Sequence, residues 1–305
     1  MSRISWIGLG SIGKPICRNL ANYGPCQTPV TIWNRTHQIA VDLAAESEKT
    51  VAVGSIADAV RSGDIICLCL LDDAAVRDVV TTAIDDADLK GKLFVDFSCI
   101  HPDTAASESE RLRNQGAEYL ASPIFGGVPL AVDRQITLVL AGPLTAIEKF
   151  APFTEGVICK NTIILADQAY QQASLLKLIG NFIRFSTIEV LCEASALSEK
   201  VGLAPETLLK FTEALIPGPA TAQLKVLQSG DYYKLDKASE SFHYHMAVKE
   251  NAHLSDLAQK AGAKLRALDT ITSHVDHLEQ SRGPNASLLA IFGIIREECG
   301  LPFEN

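Results

Sequence analysis

Apolar residues in the first half of the chain come in short runs, and each run is followed by a stretch with helical spacing. The runs begin at Ile4 and continue at 30–33, 50–53, 64–70, 93–96, 118–120, 136–140 and 162–165, and each predicts a strand. Helices are expected between them at about 12–23, up to about 47, and at 56–61, 72–80 and 102–115. The run at 64–70 is almost continuously apolar, the mark of a strand buried on both faces. Ser55 can cap the helix that follows it, and Pro102 stands at a first helical position. This alternation predicts a doubly wound, mostly parallel sheet with room for an antiparallel extension.

The pattern changes near residue 167. From 168 to 200 there is no proline and no turn cluster, and the lone Gly180 is interior. Leu175, Leu178, Ile179, Phe182, Phe185, Ile188 and Leu191 recur at helical spacing, which predicts one long helix. Further helices are expected at 205–215, 220–227, 244–261, 265–278 and 287–298, with no strand competing strongly. The reading is therefore an α/β Rossmann-type domain over 1–166, then an all-α domain over 167–305 that carries one long interdomain helix.

The chemistry starts at the first turn. Gly8, Gly10 and Gly13 have G-x-G-x-x-G spacing, with Leu9, Ser11 and Ile12 between them. Gly8 suits a tight turn, Gly10 lets backbone approach a pyrophosphate, and Gly13 lets the helix pack close to the strand. The helix then points its positive N-terminal end at the phosphates. The motif follows a strand, opens a helix and precedes a second strand, which is the context a dinucleotide site requires. That second strand ends in Asn34-Arg35-Thr36. An NAD site usually places an acid there for the ribose 2′-hydroxyl. A guanidinium, an amide and a hydroxyl suit a 2′-phosphate instead, so NADP(H) is expected over NAD(H).

The 305 residues suffice for two domains. A hydrophobic share of 47% and a charged share of 21% fit a well-packed globular chain. The net charge of -9 disfavours nucleic acid and anionic membrane surfaces as partners. No apolar run approaches a membrane span, and the N-terminus enters a strand without a signal-peptide pattern. The eight cysteines are scattered, and Cys67 and Cys69 share one face of an apolar strand, as core residues would. A reduced, cytoplasmic protein is expected. His243 and His245 would diverge on a helix and have no third ligand spaced near them, so no metal site is expected.

Five dispersed patches resemble the β-hydroxyacid dehydrogenase family, which includes 3-hydroxyisobutyrate, tartronate semialdehyde and 6-phosphogluconate enzymes; imine reductases share its architecture. The patches are Gly8 to Gly13 with Pro15 and Asn19-Leu20; Asp96-Phe97-Ser98-Cys99-Ile100-His101-Pro102, similar to D-x-S-T-x-x-P; Pro123-Ile124-Phe125-Gly126-Gly127-Val128, similar to P-V-S-G-G-V; Lys177-Leu178-Ile179-Gly180-Asn181, similar to K-x-x-x-N; and Phe242 to Lys249 with Glu250, similar to F-x6-K-D. The resemblance covers essentially the whole chain.

It implies a catalytic pair, Lys177 and Asn181, four residues apart on one helix face. Lys177 would be the general acid/base, in apolar surroundings that favour proton loss, and Asn181 would hold the substrate. Ser98 just past a strand end would meet the cofactor or substrate, as would Leu70 and Leu71 and, from a C-terminal helix, Lys249. Phe125, Gly126 and Gly127 would line the substrate. Two departures stand out: Phe125 replaces a serine and Cys99 a threonine. Phenylalanine cannot donate a hydrogen bond to a carboxylate, which points to a larger or less polar substrate.

The resemblance implies an NADP(H)-dependent oxidoreductase interconverting a β-hydroxy acid, or related alcohol, and its carbonyl compound. Imine reduction is the alternative, although imine reductases usually place Asp or Tyr at the position of Lys177. A non-catalytic NADP-sensing or chromatin-associated protein is a reading of another class, and the presence of Lys177 argues against it. A small-molecule substrate and a homodimer formed through the C-terminal helices complete the expectation.

Overall fold

A computed structural model describes residues 2–234, 244–283 and 286–305. Phe242 and His243 lie outside these residues, and the side chain of His245 is likewise not described. The chain divides into two compact units, 1–177 and 178–305.

The first unit runs β1 (Ile4–Ile7), α1 (Gly13–Tyr23), β2 (Val30–Trp33), α2 (His37–Ala45), β3 (Thr50–Ala52), α3 (Ile56–Ser62), β4 (Ile65–Leu68), α4 (Asp73–Asp86), β5 (Leu93–Asp96), α5 (Pro102–Asn114), β6 (Glu118–Ala121), β7 (Ile124–Phe125), α6 (Val128–Val132), β8 (Thr137–Gly142), α7 (Leu144–Phe150) and β9 (Asn161–Ala166). These nine strands form one sheet in the order β3-β2-β1-β4-β5-β6-β8-β7, with β9 beside β8. Strands β1 to β6 pair in parallel, while β8 runs antiparallel to β6 and β7. The sheet is thus the expected doubly wound one with an antiparallel extension.

Strand β4 sits at the middle of this sheet. Ile65 and Cys67 enter one core cluster and Ile66 and Leu68 the other, so both faces are covered. Ser55 caps α3 by accepting from the Asp58 N–H. Three short elements escaped the sequence reading. Strand β7 has two residues, and α6 and α7 are too short to show a period.

The long helix α8 (Gln171–Lys200) crosses the division, so Lys177 closes the first unit and Leu178 opens the second. The second unit adds α9 (Pro205–Leu215), α10 (Pro219–Ser229), α11 (Tyr244–Ala261), α12 (Arg266–Arg282) and α13 (Ile291–Glu298). No strand occurs among its described residues. Phe185, Ile188, Leu191, Cys192 and Ala196 on α8 pack with Ile271, Val275 and Leu278 on α12 and with α13. On the opposite face of α8, Ile179, Ile183, Val190 and Leu197 are exposed, and exposed Val201 follows just past the helix end. Spacings of four and seven residues put them on one narrow stripe. No described helix is long and apolar enough to cross a membrane.

Candidate active site

The carboxyl ends of adjacent parallel strands carry most of the expected residues. Sheet order β2-β1-β4-β5 lines up Asn34 to Thr36, the glycine turn, Leu70 and Leu71, and Ser98 along one edge. Ligands bind along this edge in open α/β sheets.

The glycine turn is tightly specified. Gly8 has φ +102°, and a Cβ there would fall 2.3 Å from the Cys69 carbonyl oxygen. A Cβ on Gly13 would fall 2.3 Å from the Gly8 carbonyl oxygen, so strand and helix meet only if both positions lack side chains. A Cβ on Gly10 would meet nothing within 4 Å. That open space above Gly10 is where backbone can approach a bound pyrophosphate, and the turn fits a dinucleotide on this ground. A cavity of about 470 Å³ adjoins it, lined by Leu9, Gly10, Ser11, Lys14 and Arg18 with Ile39, Val128 and Val132. Lys14 and Arg18 both pair with Glu46.

Asn34 has a local task. Its Oδ1 accepts from the Leu9 N–H at 2.9 Å, and its Nδ2 donates to the Thr36 carbonyl at 3.1 Å. It therefore fastens the end of β2 to the glycine turn. Arg35 and Thr36 are exposed beside it. Asn19 acts similarly from α1, donating to the Ala131 carbonyl at 2.7 Å and so anchoring α6.

Ser98 is buried, and its Oγ accepts from the Leu70 N–H at 2.9 Å, joining the ends of β4 and β5. Beneath it lies Asp96, which sequence reasoning treated only as part of a motif. Asp96 Oδ1 accepts from the Ser98 N–H and Oδ2 accepts from the Tyr119 hydroxyl, both at 2.9 Å. Burial pushes this carboxyl up to about 6, against the pull of its hydrogen bonds to Ser98 and Tyr119. An aspartate directly after three apolar strand residues is the sequence signal that could have found it. His101, read as a loop residue, caps α5 by accepting from the Asp103 N–H at Nδ1.

Lys177 is buried, and its Nζ lies 4.8 Å from the centroid of the Phe125 ring. The two residues that sequence reasoning singled out for opposite reasons, one matching a motif and one departing from it, are thus in contact. Gly126 follows Phe125 at φ +138°, and Gly127 occupies the N-cap position just before α6. Asn181 stands one turn after Lys177 on α8, in the second unit. It is buried, and its Nδ2 donates to Glu250 Oε2 at 2.5 Å. Glu250 on α11 is itself buried, and neighbouring Lys249 is half-buried. Burial pulls the nearby Arg184 guanidinium below its usual value, and Glu250 opposes that pull. Glu250 is therefore a fixed acceptor that orients the Asn181 amide.

Residues 3–162 match the family model for the NAD binding domain of 6-phosphogluconate dehydrogenase. Over 96% of this chain and 98% of its own length, the NADH-dependent oxidoreductase ucdB of Aspergillus ustus is 32% identical. Among solved structures, Mycobacterium tuberculosis 3-hydroxyisobutyrate dehydrogenase superposes with a TM-score of 0.82 at 20% identity, covering 97% of this chain and 99% of that one. An imine reductase from Myxococcus stipitatus in complex with NADP+ gives 0.62 at 20% identity, covering 96% and 99%. The chain is an oxidoreductase with a pyridine-nucleotide-binding domain. It belongs to the 6-phosphogluconate and 3-hydroxyisobutyrate dehydrogenase family, the β-hydroxyacid dehydrogenases, with imine reductases as structural neighbours.

Proposed function

We propose that this protein uses NADP(H) to interconvert a β-hydroxy acid, or a related alcohol, and its carbonyl compound, with Lys177 as general acid/base. The observation that carries this reading is Lys177 itself: a buried ammonium beside an aromatic ring, one helical turn before an amide oriented by a buried carboxylate. A bound reduced nicotinamide supplies the hydride. Lys177 gives its proton to the carbonyl oxygen as the alcohol forms, and takes the hydroxyl proton back in oxidation. Asn181 holds the substrate by hydrogen bonds, and Phe125, Gly126 and Gly127 are assigned to substrate binding from the first unit.

Residues 1–166 hold the cofactor through Gly8 to Gly13, Arg35, Thr36, Leu70, Leu71 and Ser98, while Asn34 positions the turn. Residues 167–305 supply Asn181, Lys249 and the contact with a second copy. Preference for NADP(H) is supported by the exposed Arg35 and by the absence of an acid at 34–36. The Aspergillus relative is named as NADH-dependent and the Myxococcus neighbour holds NADP+, so the ribose end is where this reading is tested. A homodimer is supported by the exposed apolar stripe on α8, which a second copy would cover.

Imine reduction is the second reading, favoured by the Phe125 ring, whose face suits a cationic iminium. A panel of β-hydroxy acids, aldehydes, ketones and cyclic imines, followed by the absorbance of the reduced nicotinamide, separates the two. Turnover of carbonyls or alcohols supports the first reading. Turnover of imines alone replaces it with the second, and no turnover of any class points to a binding protein.

A further inference from the structure

Phe125 is delivered to the candidate site by the sheet. It ends β7, opposite Thr137 of β8. The turn after it is fixed, because a Cβ on Gly126 would lie 2.7 Å from Cγ2 of Ile136. The ring, like Tyr170 and Leu176, packs against the core cluster that contains Ala173, and these α8-side residues lead into Lys177. Its position is therefore set by the fold, and the Lys177 ammonium lies over it.

An aromatic face attracts an ammonium and offers no donor to an anion. A carboxylate brought against that face loses hydration without gaining a hydrogen bond. In a β-hydroxy acid a single carbon separates the reacting carbon from the carboxylate. The Lys177 Nζ lies 4.8 Å from the ring centroid, so a substrate whose hydroxyl meets Lys177 has its neighbouring group within reach of the ring.

We propose that Phe125 is a specificity-determining residue that selects substrates with an uncharged group beside the reacting carbon, a neutral hydroxy ester, ketone or aldehyde, over the corresponding acid. This rests on the acid/base reading of Lys177. In the oxidation, the substrate O–H bond breaks and its proton passes to the neutral Lys177 amine. The C–H bond breaks with its electron pair passing as hydride to the oxidised nicotinamide, and the carbonyl bond forms. No step needs a carboxylate.

The test compares 3-hydroxyisobutyrate with its methyl ester, which differ in charge at one group, for the unmodified protein, Phe125→Ser and Phe125→Leu, with NADP+. The unmodified protein should oxidise the ester with at least about tenfold higher kcat/KM than the acid. Phe125→Ser, which supplies a hydroxyl donor, should move the acid-to-ester ratio toward the acid by roughly tenfold to a hundredfold, the worth of one charge-assisted hydrogen bond. Phe125→Leu keeps the apolar surface without the ring and should keep the ester preference, while kcat falls because the ring no longer steadies Lys177. An acid preference in the unmodified protein, or a ratio within about twofold across Phe125→Ser, overturns the proposal. If neither compound is oxidised, the hydride-transfer reading fails for this substrate frame. The same pair is then compared by calorimetric binding to the NADP+-loaded protein, where equal or tighter binding of the acid overturns the selectivity claim and tighter binding of the ester upholds it.

Discussion

Replacing Asp96 by asparagine should change how stability depends on pH. Asp96 is buried under Ser98 and titrates near 6 in the fold, because burial outweighs its hydrogen bonds. An unfolded aspartate titrates at about 3.9. Its folded value is raised, so between these two values the folded state holds the proton more tightly, and this group adds stability as pH falls. Linkage puts the gain at about 2 kcal/mol between roughly pH 7.5 and pH 4.5. The Asp96→Asn side chain would keep an oxygen for the Ser98 N–H and cannot ionise, so the variant should lack this gain. Both tryptophans, Trp6 and Trp33, lie in the first unit. Urea unfolding followed by tryptophan fluorescence therefore reports on the unit that contains Asp96. Relative to Asp96→Asn, the unmodified protein should gain about 2 kcal/mol on going from pH 7.5 to 4.5. Parallel pH profiles for the two proteins, or a relative gain toward alkaline pH, would refute the reasoning.

Other outcomes follow from the same geometry. Arg35→Asp should weaken NADPH binding by about ten- to a hundredfold and NADH binding less, the loss of one charge-assisted hydrogen bond, as read by fluorescence titration; tighter binding of NADH than NADPH by the unmodified protein would defeat the cofactor reading. Glu250→Ala removes the carboxylate that orients the Asn181 amide and should raise KM for the substrate more than it lowers kcat, with partial rescue in Glu250→Gln; unchanged kinetics would remove Glu250 as a positioning residue. Light scattering should give a dimer at micromolar concentration, and Leu197→Glu in the exposed α8 stripe should shift it toward monomer; a monomer in both cases contradicts the assembly.

The sheet was legible because its strands carry strong local signals. The apolar run at 64–70 became β4, buried on both faces, and Ser55 and Pro102 mark helix starts where their chemistry requires. Strand β7 was not legible, since two residues carry no period and its pairing with β8 is a tertiary event. The motifs mark candidate site residues, but they do not show the contacts those residues make. Nothing in the spacing of Phe125 and Lys177 places a ring under an ammonium, and Glu250 lies far along the chain from the Asn181 it orients. Asn34 shows the converse. Its residue type suited a phosphate, yet the backbone of the glycine turn and of Thr36 claims both ends of its amide.

The acid/base role of Lys177 is tested most directly by kcat for the unmodified protein, Lys177→Ala and Lys177→Arg on the best substrate, with NADPH affinity measured in parallel. A general acid/base contributes typically ~10²–10⁴-fold, so Lys177→Ala should lose kcat on that order while NADPH affinity changes little. Lys177→Arg should fail as well, because a guanidinium does not give up its proton near neutral pH. Full turnover by Lys177→Ala would contradict the account.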